Sequence, residues 1–291
     1  MKKVLYFPLD LFFLILAILP KPVLYLFSDI VYFIIFYLIG YRKKTAVKNI
    51  NESFPDKTKK EINHIIRKFY RHLADITIEN AALIKMSKKK VTSFVHYKNP
   101  DFFSELYKQK KNIIMVFGHY GNWEVTSTLP LYTEYLYVPV YKTVKSEYFN
   151  ESFLKMRSIF NCVPIPMEST LKRTLEYYKA KVPIILGLIA DQRPLRKNIQ
   201  HWTNFLNHET PVFMGPEKIG KKINAAIVFI DIAKEKRGLY NIEFSTLCEN
   251  AAETKEYEIT ELFNKKLENQ IQENPEFWLW SHDRWKHKRF K

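Results

Sequence analysis

From Val4 to Ile39 the chain is almost continuously apolar, broken by Asp10, Pro20-Lys21-Pro22 and the Ser28-Asp29 pair. The breaks leave two runs, Val4–Leu19 and Val23–Ile39, joined by a Pro-Lys-Pro turn. Each run is shorter than the roughly 20 residues that cross a hydrocarbon core comfortably. Lys2 and Lys3 precede the segment and Arg42-Lys43-Lys44 follows it, so both ends belong on the cytoplasmic side if basic residues stay inside. A tight hairpin or a tilted, interface-embedded helix pair satisfies that better than one span. A cleaved signal peptide fits poorly, because no small-residue cleavage site follows the first run and a second run comes directly after it. The competing soluble reading is an apolar core hairpin. The expectation is a helical membrane anchor over residues 1–44 with residues 45–291 on the cytoplasmic face.

After Tyr41 the pattern turns polar and basic. Pro55-Asp56 followed by Thr58 reads as a helix start, and Ile62, Ile65, Ile66, Phe69, Leu73 and Ile76 recur at helical spacing through Glu61–Met86. The Lys88–Lys90 run is expected to be a solvated turn. Short apolar, β-branched runs then alternate with amphipathic stretches. Strands are expected at Ile113–Phe117, Tyr137–Tyr141, Ile184–Ala190, Ala225–Ile230 and Tyr240–Leu247. Helices are expected at Asp101–Gln109, Glu147–Phe160, Thr170–Ala180 and Lys255–Glu273. That order predicts an α/β fold: a mixed, partly parallel sheet flanked by helices, carrying the N-terminal apolar helical anchor.

Composition narrows the partners. With 46 Lys and Arg against 30 Asp and Glu, the net charge is +16, which favours anionic partners: nucleic acid, an acidic membrane surface, or an acidic carrier or substrate. Cys162 and Cys248 make neither a disulfide framework nor a zinc site and read as buried reduced thiols. Seven glycines argue against Gly-rich nucleotide loops, and no metal-ligand cluster stands out.

The most informative stretch runs from Ile113 to Glu124, ending Gly-His-Tyr-Gly-Asn-Trp-Glu. A buried-type strand leads into Gly118 and His119, and Asn122 can cap a helix beginning at Trp123. On one continuous helix, His119 and Glu124 would point about 140° apart at roughly 100° per residue. Across a strand–turn–helix they can face each other, at the strand end where open α/β sheets place their ligands. An imidazole steadied by a carboxylate is the minimal apparatus for taking a proton from a hydroxyl.

His119-Tyr-Gly-Asn-Trp-Glu124 resembles the signature of the lipid A late acyltransferases (the lauroyl/myristoyl-transferase group), within the wider His-x4-Asp/Glu glycerolipid acyltransferases. Further blocks agree in order: Asn49-Ile-Asn with Phe54-Pro55, Tyr141-Lys142 with Arg157, and Ile189-Ala-Asp-Gln192. Trp202…Phe205…Thr210-Pro211 and Asn274-Pro-Glu-Phe-Trp-Leu-Trp-Ser-His282 with Arg284-Trp-Lys286 complete them. The resemblance covers nearly the whole chain. It departs at Lys142-Thr143, where Arg-Pro is usual, and at Asp283, which interrupts the usual His-Arg-Arg ending.

The resemblance implies that His119 is the general base on an acceptor hydroxyl and that Glu124 orients it. Arg157 is the candidate cation for the oxyanion or an acceptor phosphate, with Asn122 and Lys142 as lesser candidates. Asp191, Gln192 and Arg193 are expected at the same rim as substrate-binding residues, Asp191 positioning Arg193 or polar groups of the acceptor. The implied reaction moves an acyl chain from an acyl carrier protein or CoA thioester to a lipid A precursor at the bacterial inner membrane, with no cofactor, no metal and no nucleic acid. A lysophospholipid or aminolipid acceptor is the alternative within the same chemistry. A basic membrane-tethered binding protein is the alternative outside it, and Trp278, Trp280 and Trp285 could then serve as interfacial anchors. The acyltransferase reading expects His119 and Glu124 to face an apolar groove.

Overall fold

A computed structural model describes residues 6–289; Lys2, Lys3 and the start of the first apolar run lie outside them. The helices are α1 (Phe7–Ile18), α2 (Lys21–Phe33, extended by a π-helical turn over Ile34–Leu38), α3 (Lys43–Ser53), α4 (Lys59–Leu83) and α5 (Lys88–Thr92). They continue with α6 (Ser104–Lys108), α7 (Glu147–Arg157), α8 (Thr170–Lys179), α9 (Gly215–Ile223) and α10 (Glu258–Glu273). Strands β1 (Val95–Tyr97), β2 (Ile113–Phe117), β3 (Leu136–Tyr141), β4 (Ile165–Pro166) and β5 (Ile184–Ile189) precede β6 (Trp202–Phe205) and β7 (His208–Pro211). The last two are β8 (Ala226–Lys236) and β9 (Leu239–Cys248).

Among the described residues one sheet runs in the order β1-β9-β8-β2-β5-β3-β4. Every pairing in it is parallel except β8 with β9. Strand β2 sits at its centre and shows why the sequence there is apolar at every position. Ile114 and Val116 enter one core, with residues of α3, the first half of α4, α9 and α10, while Ile113, Met115 and Phe117 enter the other. A strand covered on both faces cannot alternate polar and apolar side chains. The expected mixed, partly parallel α/β sheet is therefore the observed one.

Helix α4 starts where expected, with a capping box between Thr58 and Glu61. Elsewhere the differences are local. Residues 101–109 form a 3-10 turn over Pro100–Phe103 followed by α6, and α7 ends at Arg157 rather than Phe160. The Lys88–Lys90 run is not a free turn: it opens α5, and Lys90 Nζ donates to the carbonyl of Ala17 at 2.6 Å. The hairpin β6–β7 turns through Leu206 and Asn207, both at positive φ (51° and 65°). Such a two-residue turn normally advertises itself by glycine; here none is present. Cys162 is buried, and Cys248 is partly exposed.

The two N-terminal helices pack against α4. Tyr25 donates to Glu79 at 2.6 Å, Ser28 to Asp75 at 2.5 Å, and Lys21 to the carbonyls of Ser93 and Gly238 at 2.7 Å each.

Candidate active site

The site grows from the parallel register of β2 and β5. Phe117 pairs with Ile189, and the amide of Ala190 donates to the carbonyl of Phe117. Two residues beyond each of those partners stand His119 and Asp191. The ring Nδ1 of His119 lies 2.7 Å from Asp191 Oδ1, and the His119 amide donates to Oδ2 at 2.8 Å. Trp278 Nε1 donates to the same Oδ2 at 2.8 Å. Burial alone would push the Asp191 carboxyl up, but the His119 ring, the two His119 hydrogen bonds and the Trp278 donor hold it below its ordinary value. An ionised Asp191 only accepts, so Nδ1 carries a proton, and the neutral ring then presents its lone pair at Nε2. Gln192 Nε2 sits 3.3 Å from that Nε2, and the Trp123 ring packs against the imidazole at a steep angle, ring centres 4.8 Å apart.

Glu124 stands elsewhere in the constellation. Asn122 caps the 3-10 helix Trp123–Leu131, its side chain accepting from the Glu124 amide. The Glu124 carboxylate is gripped by Arg157, from Nε to Oε2 at 2.8 Å and from Nη2 to Oε1. The acid of the His-x4-Glu spacing therefore bonds the guanidinium, and the carboxylate on the imidazole comes from the neighbouring strand. Burial lowers the Arg157 pKa, but the Glu124 charge and hydrogen bonds raise it further, so on balance it is raised and the pair is ionic.

Asn122 is fully buried and bonded at both ends of its side chain. Its Nδ2 donates to Glu79 at 2.8 Å, and Glu79 also accepts from Tyr25 and Tyr240. One helical turn pair earlier on α4, His72 Nε2 lies 3.3 Å from the Gly121 carbonyl. Gly121 has φ +62°, and a Cβ there would stand 2.5 Å from the carbonyl oxygen of Ile232, so the turn requires glycine. From the third side the C-terminal segment closes the loop: the Gly121 amide donates to Phe277 and the Leu279 amide to His119. Sequence reasoning missed Glu79 and His72. The signal was a charge and an imidazole lying on the apolar stripe of α4, where all of Ile62, Phe69, His72, Ile76 and Glu79 are buried.

The other expected residues are placed as follows. Arg193 does not meet Asp191; its Nη1 donates to the Asp283 carbonyl at 2.7 Å and pairs with the Asp283 carboxylate. Lys142 is exposed just beyond β3. Trp278 and Trp280 are buried rather than interfacial, and Trp285 donates to Thr210. Asn49 donates to the carbonyls of Trp280 and His282 at 2.9 Å each, joining the early Asn block to the C-terminal one. A narrow cleft of about 40 Å³ beside the site is lined by Trp123, Glu124, Tyr137, Val140, Arg157 and Ile189 among others. It is a slot rather than the long apolar groove expected, well short of the roughly 300 Å³ of an ordinary ligand pocket.

An α/β protein with an imidazole–carboxylate pair on the C-terminal rim of its parallel strands, beside an ionic guanidinium, is equipped to activate a hydroxyl and stabilise a developing anion. Residues 4–287 match the family described as Bacterial lipid A biosynthesis acyltransferase; the chain belongs to that family and is an acyltransferase. No curated protein matches it. The family sets aside the reading of a basic binding protein without turnover.

Proposed function

We propose that this chain is a membrane-attached O-acyltransferase that moves a fatty acyl chain from an acyl carrier thioester to a hydroxyl of a lipid A precursor. The reaction proceeds at the cytoplasmic face of the bacterial inner membrane. The observation that carries the reading is the His119–Asp191 pair, which leaves Nε2 as the proton acceptor. The acceptor hydroxyl displaces the Gln192 amide from Nε2 and gives up its proton as its oxygen attacks the thioester carbonyl. Asp191 stabilises the imidazolium so formed. The tetrahedral oxyanion is met by Arg157, whose fork to Glu124 uses two of its five N–H donors. Collapse expels the thiolate, which takes the proton back from His119. Glu124 thus serves as the positioning residue for the guanidinium. Asn122 is held by Glu79 and caps the turn that carries Glu124, and Arg193 with Lys142 remains for acceptor polar groups. The basic balance of the chain suits an acidic carrier protein as donor.

The test is turnover by the purified full-length chain in detergent micelles, with labelled acyl carrier protein or acyl-CoA and three acceptors: a lipid A precursor, a lysophospholipid and an aminolipid. Transfer to the lipid A precursor, lost in His119→Ala with folding retained, is the expected result. Turnover of the glycerophosphate acceptor alone overturns the acceptor assignment, and undiminished transfer by His119→Ala overturns the mechanism.

A further inference from the structure

The segment Lys21–Leu38 is long and apolar enough to cross a bilayer by length and composition (18 residues, mean hydropathy 1.6). Its surroundings forbid it. From Tyr25 to Phe36 the helix runs along α4. Lys21 is tied to Ser93 and Gly238, Tyr25 to Glu79, Ser28 to Asp75, Arg71 stacks on Tyr32, and Phe36 packs on Tyr70. At its midpoint four charged groups meet. Asp29 pairs with Arg237, and Asp75 accepts from Lys234 at 2.7 Å and from Arg237 Nε at 3.2 Å. Were α2 to span, this cluster and the flank of α4 would sit at the centre of the hydrocarbon, where charged groups are least tolerated.

The opposite face is apolar and bare. Leu26, Ile30, Phe33 and Tyr37 are 51–61% exposed, and α1 also exposes apolar side chains, Phe7 and Ile18 among them. The basic clusters complete the picture. Lys90 donates to the carbonyls of Ala17 and Leu19 where α1 meets the α1–α2 turn, with Lys88 and Lys89 exposed beside it, and Arg42-Lys43-Lys44 follows the far end of α2. A spanning α2 would put these two clusters on opposite sides of the membrane. A helix lying flat puts both against one leaflet, where anionic headgroups attract them. A second copy of this chain is the poorer occupant, because facing two such surfaces would bring like-charged clusters together.

We infer that α1 and α2 do not cross the membrane but lie in the plane of one leaflet, apolar face down, holding the transferase body on a surface of anionic lipid. The inference rests on the membrane attachment proposed above and decides its geometry. The two helices thereby act as an amphipathic platform whose polar side is internal to the enzyme.

The test is the depth of nitroxide labels on the full-length chain bound to vesicles of phosphatidylethanolamine and phosphatidylglycerol. Val23, Leu26, Ile30, Phe33 and Tyr37 are replaced singly by cysteine, and the labelled parent chain corrects for Cys162 and Cys248. Val23 and Tyr37 lie about 21 Å apart along a helix axis at 1.5 Å per residue. In-plane helices give five similar, shallow depths. A profile deepest at Ile30, with Val23 and Tyr37 near opposite surfaces, overturns the inference while leaving membrane attachment intact. A parent chain that does not sediment with the vesicles overturns the attachment and the inference together.

Discussion

His119 Nδ1 lies 2.7 Å from Asp191 Oδ1, across two parallel strands whose last paired residues, Phe117 and Ile189, each stand two positions earlier. The pairing is thus a product of strand register. Both carboxylate oxygens are occupied, because the His119 amide and Trp278 converge on Oδ2. Asp191→Asn replaces an acceptor-only group with one whose amino end must face a donor, so the ring loses the tautomer that frees Nε2. The expected outcome is a fall in kcat of about 10²–10⁴-fold with KM little changed, measured by steady-state transfer assays. A kcat within threefold of the parent would remove Asp191 from the mechanism.

Much of this site was legible in the sequence, and the illegible part has a physical reason. The run Ile113–Phe117 and the Gly118-His119 exit from it are local patterns, and they are β2 and its C-terminal rim. The early Asn block and the C-terminal Trp-rich block, read as separate resemblances, meet through Asn49. Which carboxylate bonds His119 is not a local property. It depends on the register between β2 and a strand about seventy residues later, so spacing alone favours Glu124 and the register supplies Asp191. The same holds for Lys90, a residue of a charge run whose ammonium closes the end of α1.

The Glu124–Arg157 pair is part-buried, at 7% and 21% side-chain exposure. Removing one partner leaves the other charge uncompensated. Arg157→Ala is expected to destabilise by about 3 kcal/mol and to abolish transfer. Arg157→Gln combined with Glu124→Gln removes both charges and is expected to recover much of the stability and none of the activity. Urea unfolding and transfer assays on Arg157→Gln, Glu124→Gln and their double variant measure this. Additive stability losses would mean that the pair is not coupled.

Glu79 reaches the site through one hydrogen bond to Asn122, whose other end caps Glu124. Exchanging the groups tests that relay. Glu79→Gln alone leaves Asn122 and two tyrosines facing a neutral amide, and kcat is expected to fall by about tenfold, the scale of one net hydrogen bond of ~1.4 kcal/mol. In the double variant with Asn122→Asp, the new amide donates back to the new carboxylate, and the Glu124 amide still has an acceptor. Recovery of kcat in the double variant, read beside unchanged KM, is the expected result. Two losses that simply multiply would reduce Glu79 to a packing residue.

Acid should unfold the protein in two stages. Burial pushes the His282 imidazole down to about 4, and Arg193, Arg284 and His119 reinforce the shift against the opposing Asp191 charge. Burial likewise holds His72 well below its usual range. Both rings are neutral when folded, whereas in the unfolded chain they take up protons below about pH 6.5. The unfolded state therefore binds more protons between pH 6.5 and about 4, and stability is lost as pH falls through that window. Asp191 has the carboxylate sign: its lowered pKa stabilises above the unfolded value near ~3.9, and that contribution is lost below it. Thermal unfolding midpoints in detergent micelles should decline across the first window and drop again beneath the second. His282→Gln keeps an acceptor for the Arg193 amide, 3.5 Å from Nε2, and removes one titrating ring. It is expected to flatten the decline between pH 6.5 and 4, leaving the portion due to His72. An identical slope in that variant would show that His282 is not held neutral by the fold.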